Sequence, residues 1–103
     1  MILTVKQGST FIHEVELLDN EGAALDMTGV STRGQIRKHY GSNTKVDFEL
    51  SNIDNILIMT LSANTTASMA AGRYNYDVEL TETNGIVRNA LSGIFVVQPE
   101  VTK

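Results

Sequence analysis

From Tyr74 to Leu80 the chain alternates strictly, with Tyr74, Tyr76, Val78 and Leu80 on one parity and Asn75, Asp77 and Glu79 on the other. Side chains of an extended strand point to opposite faces with a period of two, so this pattern buries one face and wets the other. A helix would scatter the same four apolar residues around its circumference. The period recurs along the chain. Phe11, His13, Val15 and Leu17 share a face opposite Glu14 and Glu16, Val46, Phe48 and Leu50 alternate with Asp47 and Glu49, and Leu57, Met59 and Leu61 alternate with Ile58 and Thr60. Segments of this kind bury their apolar faces by closing sheet against sheet.

Three more segments fit the scheme. Residues 30–38 place Gly34 and Ile36 on one face and Arg33, Gln35 and Arg37 on the other. Residues 86–98 are apolar on both parities at Ile94, Phe95, Val96 and Val97, which predicts a strand covered on both faces over part of its length. Gly93 predicts a bulge or bend there, and Pro99, which lacks a backbone donor, predicts the strand's end or an edge position. Residues 2–6 predict a further strand. Turn residues separate these runs at Asn20-Glu21-Gly22, at Ser51 to Asn55 and at Asn84-Gly85. One segment breaks the period: Ser62 to Ala71 is small and Ala-rich, predicting a short helical crossover with Ser62 or Asn64 at its start and Gly72 as a left-handed stop. The expectation is a single domain over residues 1–103, an all-β antiparallel sandwich of the immunoglobulin-like kind with about seven strands and one helical crossover near 62–71.

The stretch from Asp19 to Gly29 joins two of the strands. Asp19 to Gly22 reads as a reversal, Leu25 and Met27 as plugs for an open sandwich end, and Asp26 and Thr28 as bonding partners for local amides, with Gly29 permitting the next turn. The corner leads to a strand of either the same sheet or the opposite one.

The residues offer little chemistry. Cysteine is absent, which excludes disulfide scaffolds, cysteine zinc sites and thiol catalysis. His13 lies on an apolar strand face and His39 in the basic Arg37-Lys38-His39-Tyr40-Gly41 run, without zinc spacing. There is no phosphate-cradling glycine loop and no nucleophile elbow. Asp19, Glu21 and Asp26 could gather oxygen around calcium, but turn chemistry accounts for them better. Arg33, Arg37, Lys38 and Lys45 read as a solvated face balancing nearby carboxylates. The net charge of −4 opposes non-specific nucleic-acid binding, and no apolar run approaches the roughly 18 residues of a membrane-spanning helix. The opening residues lack the charged and apolar regions of a secretory signal, so the expectation is synthesis in the cytoplasm. No catalytic residue, metal ligand or cofactor site is expected.

Four short motifs follow one another along the chain. Gly8-Ser9-Thr10 opens the first, Asp19-Asn20-Glu21-Gly22 with Asp26-Met27-Thr28-Gly29 forms the corner, Ala71-Gly72-Arg73-Tyr74 enters a strand, and Gly93 leads the apolar run Ile94 to Val97. Over about residues 3 to 102 this order resembles the N-terminal domain of the baseplate upper protein family of tailed bacteriophages and related tail and fibre-associated domains. Met27 stands where that family commonly has leucine, and Ser9 where an acid is common. The resemblance implies a non-enzymatic virion structural protein of a tail, baseplate or neck, made in the host cytoplasm. Its partners would be other virion proteins or copies of itself, with a homo-oligomer in the particle. Strands left at sheet edges would carry the contact, and the expected edges are Ile2, Leu3, Thr4 and Val5 and the run Ile94, Phe95, Val96 and Val97. The alternative is a carbohydrate- or surface-binding sandwich module, for which Tyr40 is the one loop aromatic suited to stacking; tryptophan is absent.

Overall fold

The structure, a computed structural model, describes residues 2–38 and 45–100. Its strands are β1 (Ile2–Lys6), β2 (Phe11–Glu16), β3 (Ser31–Arg37), β4 (Lys45–Asp47), β5 (Glu49–Ile53), β6 (Ile56–Leu61), β7 (Gly72–Thr81) and β8 (Val87–Gln98), with one helix, α1 (Ala63–Ser68), between β6 and β7. They form a five-stranded sheet in the order β1-β8-β7-β3-β4 and a three-stranded sheet in the order β2-β6-β5. All pairings are antiparallel except β1 with β8. The result is an all-β, sandwich-like protein.

The alternating residues meet between the sheets. Leu57, Met59 and Leu61 of β6 and Tyr76, Val78 and Leu80 of β7 are all buried. Phe95 lies edge-on to Phe11 at 5.1 Å between ring centroids and to Phe48 at 5.9 Å, and Phe48 meets Tyr76 at 6.2 Å. Tilted and edge-on contacts at these separations suit the charge distribution of aromatic rings. This aromatic cluster ties β2, β7 and β8 to the segment between β4 and β5.

That segment departs from the sequence expectation. Val46, Phe48 and Leu50 do not belong to one strand. Lys45–Asp47 pairs with β3 in the large sheet, and Glu49–Ile53 pairs with β6 in the small one. Phe48 is the crossing point: its ring is buried in the aromatic cluster, and its N–H donates to the Gly34 carbonyl at 3.0 Å. A Cβ on Gly34 would stand 3.1 Å from Phe48, 3.2 Å from Val78 and 3.3 Å from Leu50, so the bare backbone there makes the space in which the chain changes sheets.

Other boundaries shift for local reasons. Strand pairing runs on through Ser51 to Ile53, leaving Asp54 and Asn55 as the hairpin turn, with Asp54 at φ 52°. The helix is capped by Ser62, whose side chain accepts from the Thr65 N–H, but it ends at Met69 in extended backbone. Gly72 is therefore no helix stop and begins β7 instead. The bulge in β8 lies at Ala90, between Leu91 opposite Val78 and Asn89 opposite Glu79, while Gly93 pairs in register with Tyr76.

The corner folds as its residues indicate. The Asp19 carboxylate accepts from the N–H groups of Glu21 and Ala23, and the Asp26 carboxylate accepts from Thr28 N–H. Gly22 and Gly29 have φ of 83° and 72°. Leu25 and Met27 pack against the core, and the chain passes from β2 in the small sheet to β3 in the large one, which settles the choice of sheet.

Candidate functional site

β1 divides its residues cleanly. Leu3 and Val5 are buried in the core, and Ile2, Thr4 and Lys6 point away from it. One edge of β1 bonds to β8, from Ile2 opposite Ile94 to Lys6 opposite Gln98. Its other edge has no strand partner among the described residues. Gln7 fastens the end of the strand: its amide donates to the Met69 carbonyl at 2.8 Å, its side-chain oxygen accepts from Glu100 N–H, and its own N–H donates to the Gln98 carbonyl. β1 is thus an edge, as expected, and also part of the core.

The expected edge at Ile94, Phe95, Val96 and Val97 is corrected. These residues pair with β1 on one side and with β7 on the other, so their backbone groups lie inside the sheet. The apolar run has the composition of an interior strand, and Phe95 and Val97 are fully buried in the core. Ile94 and Val96 project from the opposite face, half-buried, beside Ile2 and Thr4. The length of β8 that β1 leaves uncovered is residues 87–93. Beside it Leu17, Leu25, Leu80 and Leu91 line a shallow groove where the two sheets part, and the Glu82–Arg88 ion pair, at 3.3 Å, borders it.

Each sheet also has an outer face. On the small sheet the strand registers bring Ile12, Ile53, Ile56 and Ile58 together with Glu14, Glu16 and Glu49. Ile12 and Ile53 are 65% and 66% exposed. Ile58 and the two β2 glutamates lie on the parities that alternation makes wet, and the isoleucine cluster forms only because β5, β6 and β2 are neighbours. On the large sheet the row Ile2, Ile94, Asn75, Arg37 and Lys45 runs across all five strands, and Thr4, Val96 and Arg73 form the row above it. Asp77 and Glu79 follow further along β7, opposite Gln35 and Arg33.

The remaining candidate residues have structural partners. His13 is half-buried and stacks on Phe11 with centroids 6.3 Å apart. Among the described residues, no three of His, Asp and Glu gather as a metal site. Asp26 is held below the usual aspartate pKa by the Thr28 backbone N–H and then by the Thr28 hydroxyl. Burial raises the phenol pKa of both Tyr74 and Tyr76. The Tyr74 hydroxyl donates to the Ala70 carbonyl at 2.5 Å, and its ring receives the Lys38 ammonium 4.7 Å from the centroid. Lys45 faces Asp47 at 3.9 Å, whereas Lys38 turns away from the outer face to Tyr74. His39 and Tyr40 lie outside the described residues.

No protein-family model matches the chain, and a search of curated proteins finds no relative.

Proposed function

We propose that this protein is a non-enzymatic structural component of a phage particle, a tail, baseplate or neck domain that works by binding other virion proteins or further copies of itself. The observation that carries the reading is the exposed apolar surface organised on sheet faces: Ile2, Ile12 and Ile53 each expose about two thirds of their area. Isolated exposed apolar residues are ordinary, but clusters built by strand register mark interaction surfaces. The order of short motifs along the chain supports the phage assignment.

Two features favour the immunoglobulin-like variety of sandwich. The pairing β2-β6-β5 facing β8-β7-β3, with β4 beside β3, follows the B-E-D and G-F-C arrangement of that fold with one added strand. Tyr74, at the start of β7, bonds through its hydroxyl to the backbone four residues upstream, as the tyrosine corner of that fold does. β1 sits beside β8 and leaves β2 as an edge of the small sheet with no strand beside it among the described residues.

Peptide mass spectrometry of density-purified virus particles from the source culture tests the proposal. Peptides at a fixed ratio to the capsid protein are expected. Peptides abundant in infected cells and missing from mature particles would replace the structural role with that of an assembly factor. Absence from both would move a surface-binding module to the front.

A further inference from the structure

The two outer sheet faces are unlike each other in a complementary way. The small sheet presents Ile12, Ile56 and Ile58 among Glu14, Glu16 and Glu49, and no Lys, Arg or His among the described residues shares that face. The large sheet, at the end spanned by the rows of Lys6, Thr4 and Ile2, presents Ile2, Ile94 and Val96 among Lys6, Arg73 and Arg37. Its carboxylates, Asp77 and Glu79 on β7 and Asp47 on β4, lie in the rows beyond. One face is apolar and acidic, and the other is apolar and basic.

We propose that these faces dock on one another between copies, the small sheet of one chain on the end of the large sheet that carries Lys6, Arg73 and Arg37 in the next. This rests on the assembly reading above and names its partner as a second copy of the chain. Charge complementarity selects the occupant. Two small-sheet faces brought together would oppose glutamates to glutamates, and two large-sheet faces would oppose arginine and lysine to the same, which penalises both symmetric pairings. The mixed pairing matches carboxylates with cations around an apolar centre. Because the contact joins different surfaces, each copy keeps one free face, so the contact propagates into a ring where the rotation closes and a filament where it does not.

The test uses two charge-reversed chains in sedimentation velocity over a concentration series. Glu14→Arg with Glu16→Arg makes both faces basic, and Lys6→Glu with Arg73→Glu makes both faces acidic. All four side chains are exposed, so thermal melting should confirm that each variant folds. Wild-type chain is expected to self-associate and to weaken as salt is raised. Each variant alone should associate at least roughly tenfold more weakly, and an equimolar mixture should recover assembly, since every contact again pairs opposite charges. Ile12→Thr, which keeps all charges, should weaken association as well and serves if a reversed chain fails to fold. A wild-type chain that stays monomeric, variants that still associate alone, or a mixture that stays apart would each overturn the proposal. If that happens while the peptides are found in purified particles, the copy-to-copy contact fails and the virion reading stands. Self-association of a chain that particles lack would have the opposite meaning.

Discussion

Tyr74 and Tyr76 lie two residues apart on the same face of β7, and deletion of the hydroxyl should move stability in opposite directions at the two sites. Tyr74 donates to the Ala70 carbonyl at 2.5 Å. Tyr74→Phe removes that bond and keeps the ring, its packing and the Lys38 contact, so the cost is the net worth of one hydrogen bond, about 0.5–1.5 kcal/mol. The Tyr76 side chain is 1% exposed, and its hydroxyl has no hydrogen-bond partner among the described residues. Such a group carries a desolvation penalty of about 1–3 kcal/mol that Tyr76→Phe relieves. The space vacated by one oxygen returns a few tenths of that, at about 24 cal/mol per Å³ of cavity. Tyr76→Phe should therefore stabilise by about 1 kcal/mol. For a domain of this size 1 kcal/mol moves the melting midpoint by about 4 °C. Calorimetry of the two variants should give midpoints displaced to either side of wild type, Tyr74→Phe below and Tyr76→Phe above. Equal losses in both would refute the reasoning, because they would mean that the Tyr76 hydroxyl is bonded in the folded protein.

Five further outcomes follow from the same structure. Gly34→Ala inserts a Cβ at 3.1–3.3 Å from three core side chains; crowding of about 1–3 kcal/mol should outweigh the 0.4–1 kcal/mol, roughly, gained by stiffening the unfolded chain, and urea unfolding should show a net loss. Thr66 is buried and its hydroxyl donates to the Ser9 carbonyl at 2.7 Å, so Thr66→Val, equal in shape, should cost about 1–3 kcal/mol in the same assay. Leu3→Ala should cost about 2–5 kcal/mol, and removal of residues 1–6 should impair folding itself, since Leu3 and Val5 belong to the core. The raised phenol pKa of Tyr74 and Tyr76 means that the unfolded chain ionises first as pH rises: stability should fall from about pH 10 upward, and a Tyr76→Phe melting series should lose part of that slope. Asp26 has the opposite sign. Its lowered pKa adds stability above about pH 4 that is lost as pH falls through the folded value, and Asp26→Asn should flatten that acid limb.

The sequence disclosed its strands where one face is wet and one is dry. Tyr74 to Leu80 and Leu57 to Leu61 alternate because each lies in a sheet with one solvated face, and their structure follows the pattern residue by residue. The Asp19–Gly29 corner was equally readable, since its carboxylates bond amides a few residues away and need nothing distant. Periodicity could not reveal pairing. Val46 to Leu50 keeps perfect alternation while crossing between sheets, because a strand that switches sheets still points the same parity into the common core. Apolar residues on both parities at Ile94 to Val97 do not say which strands pair on either side: β1 fills the expected edge, and the outer face that carries Ile94 and Val96 is half-buried rather than covered. The candidate surface was hidden most deeply. Ile12, Ile53, Ile56 and Ile58 come from three strands and become a cluster only through the registers of the small sheet.

The most direct test of the account couples carboxylates to amines with a carbodiimide in purified virus particles and maps the linked peptides by mass spectrometry. Lys6 and the glutamates of β2 lie on the outer faces of different sheets, so a Lys6–Glu14 or Lys6–Glu16 link must join two copies. The account predicts the chain in the particle at a fixed ratio to the capsid protein, carrying that link. Particles without the chain would contradict it.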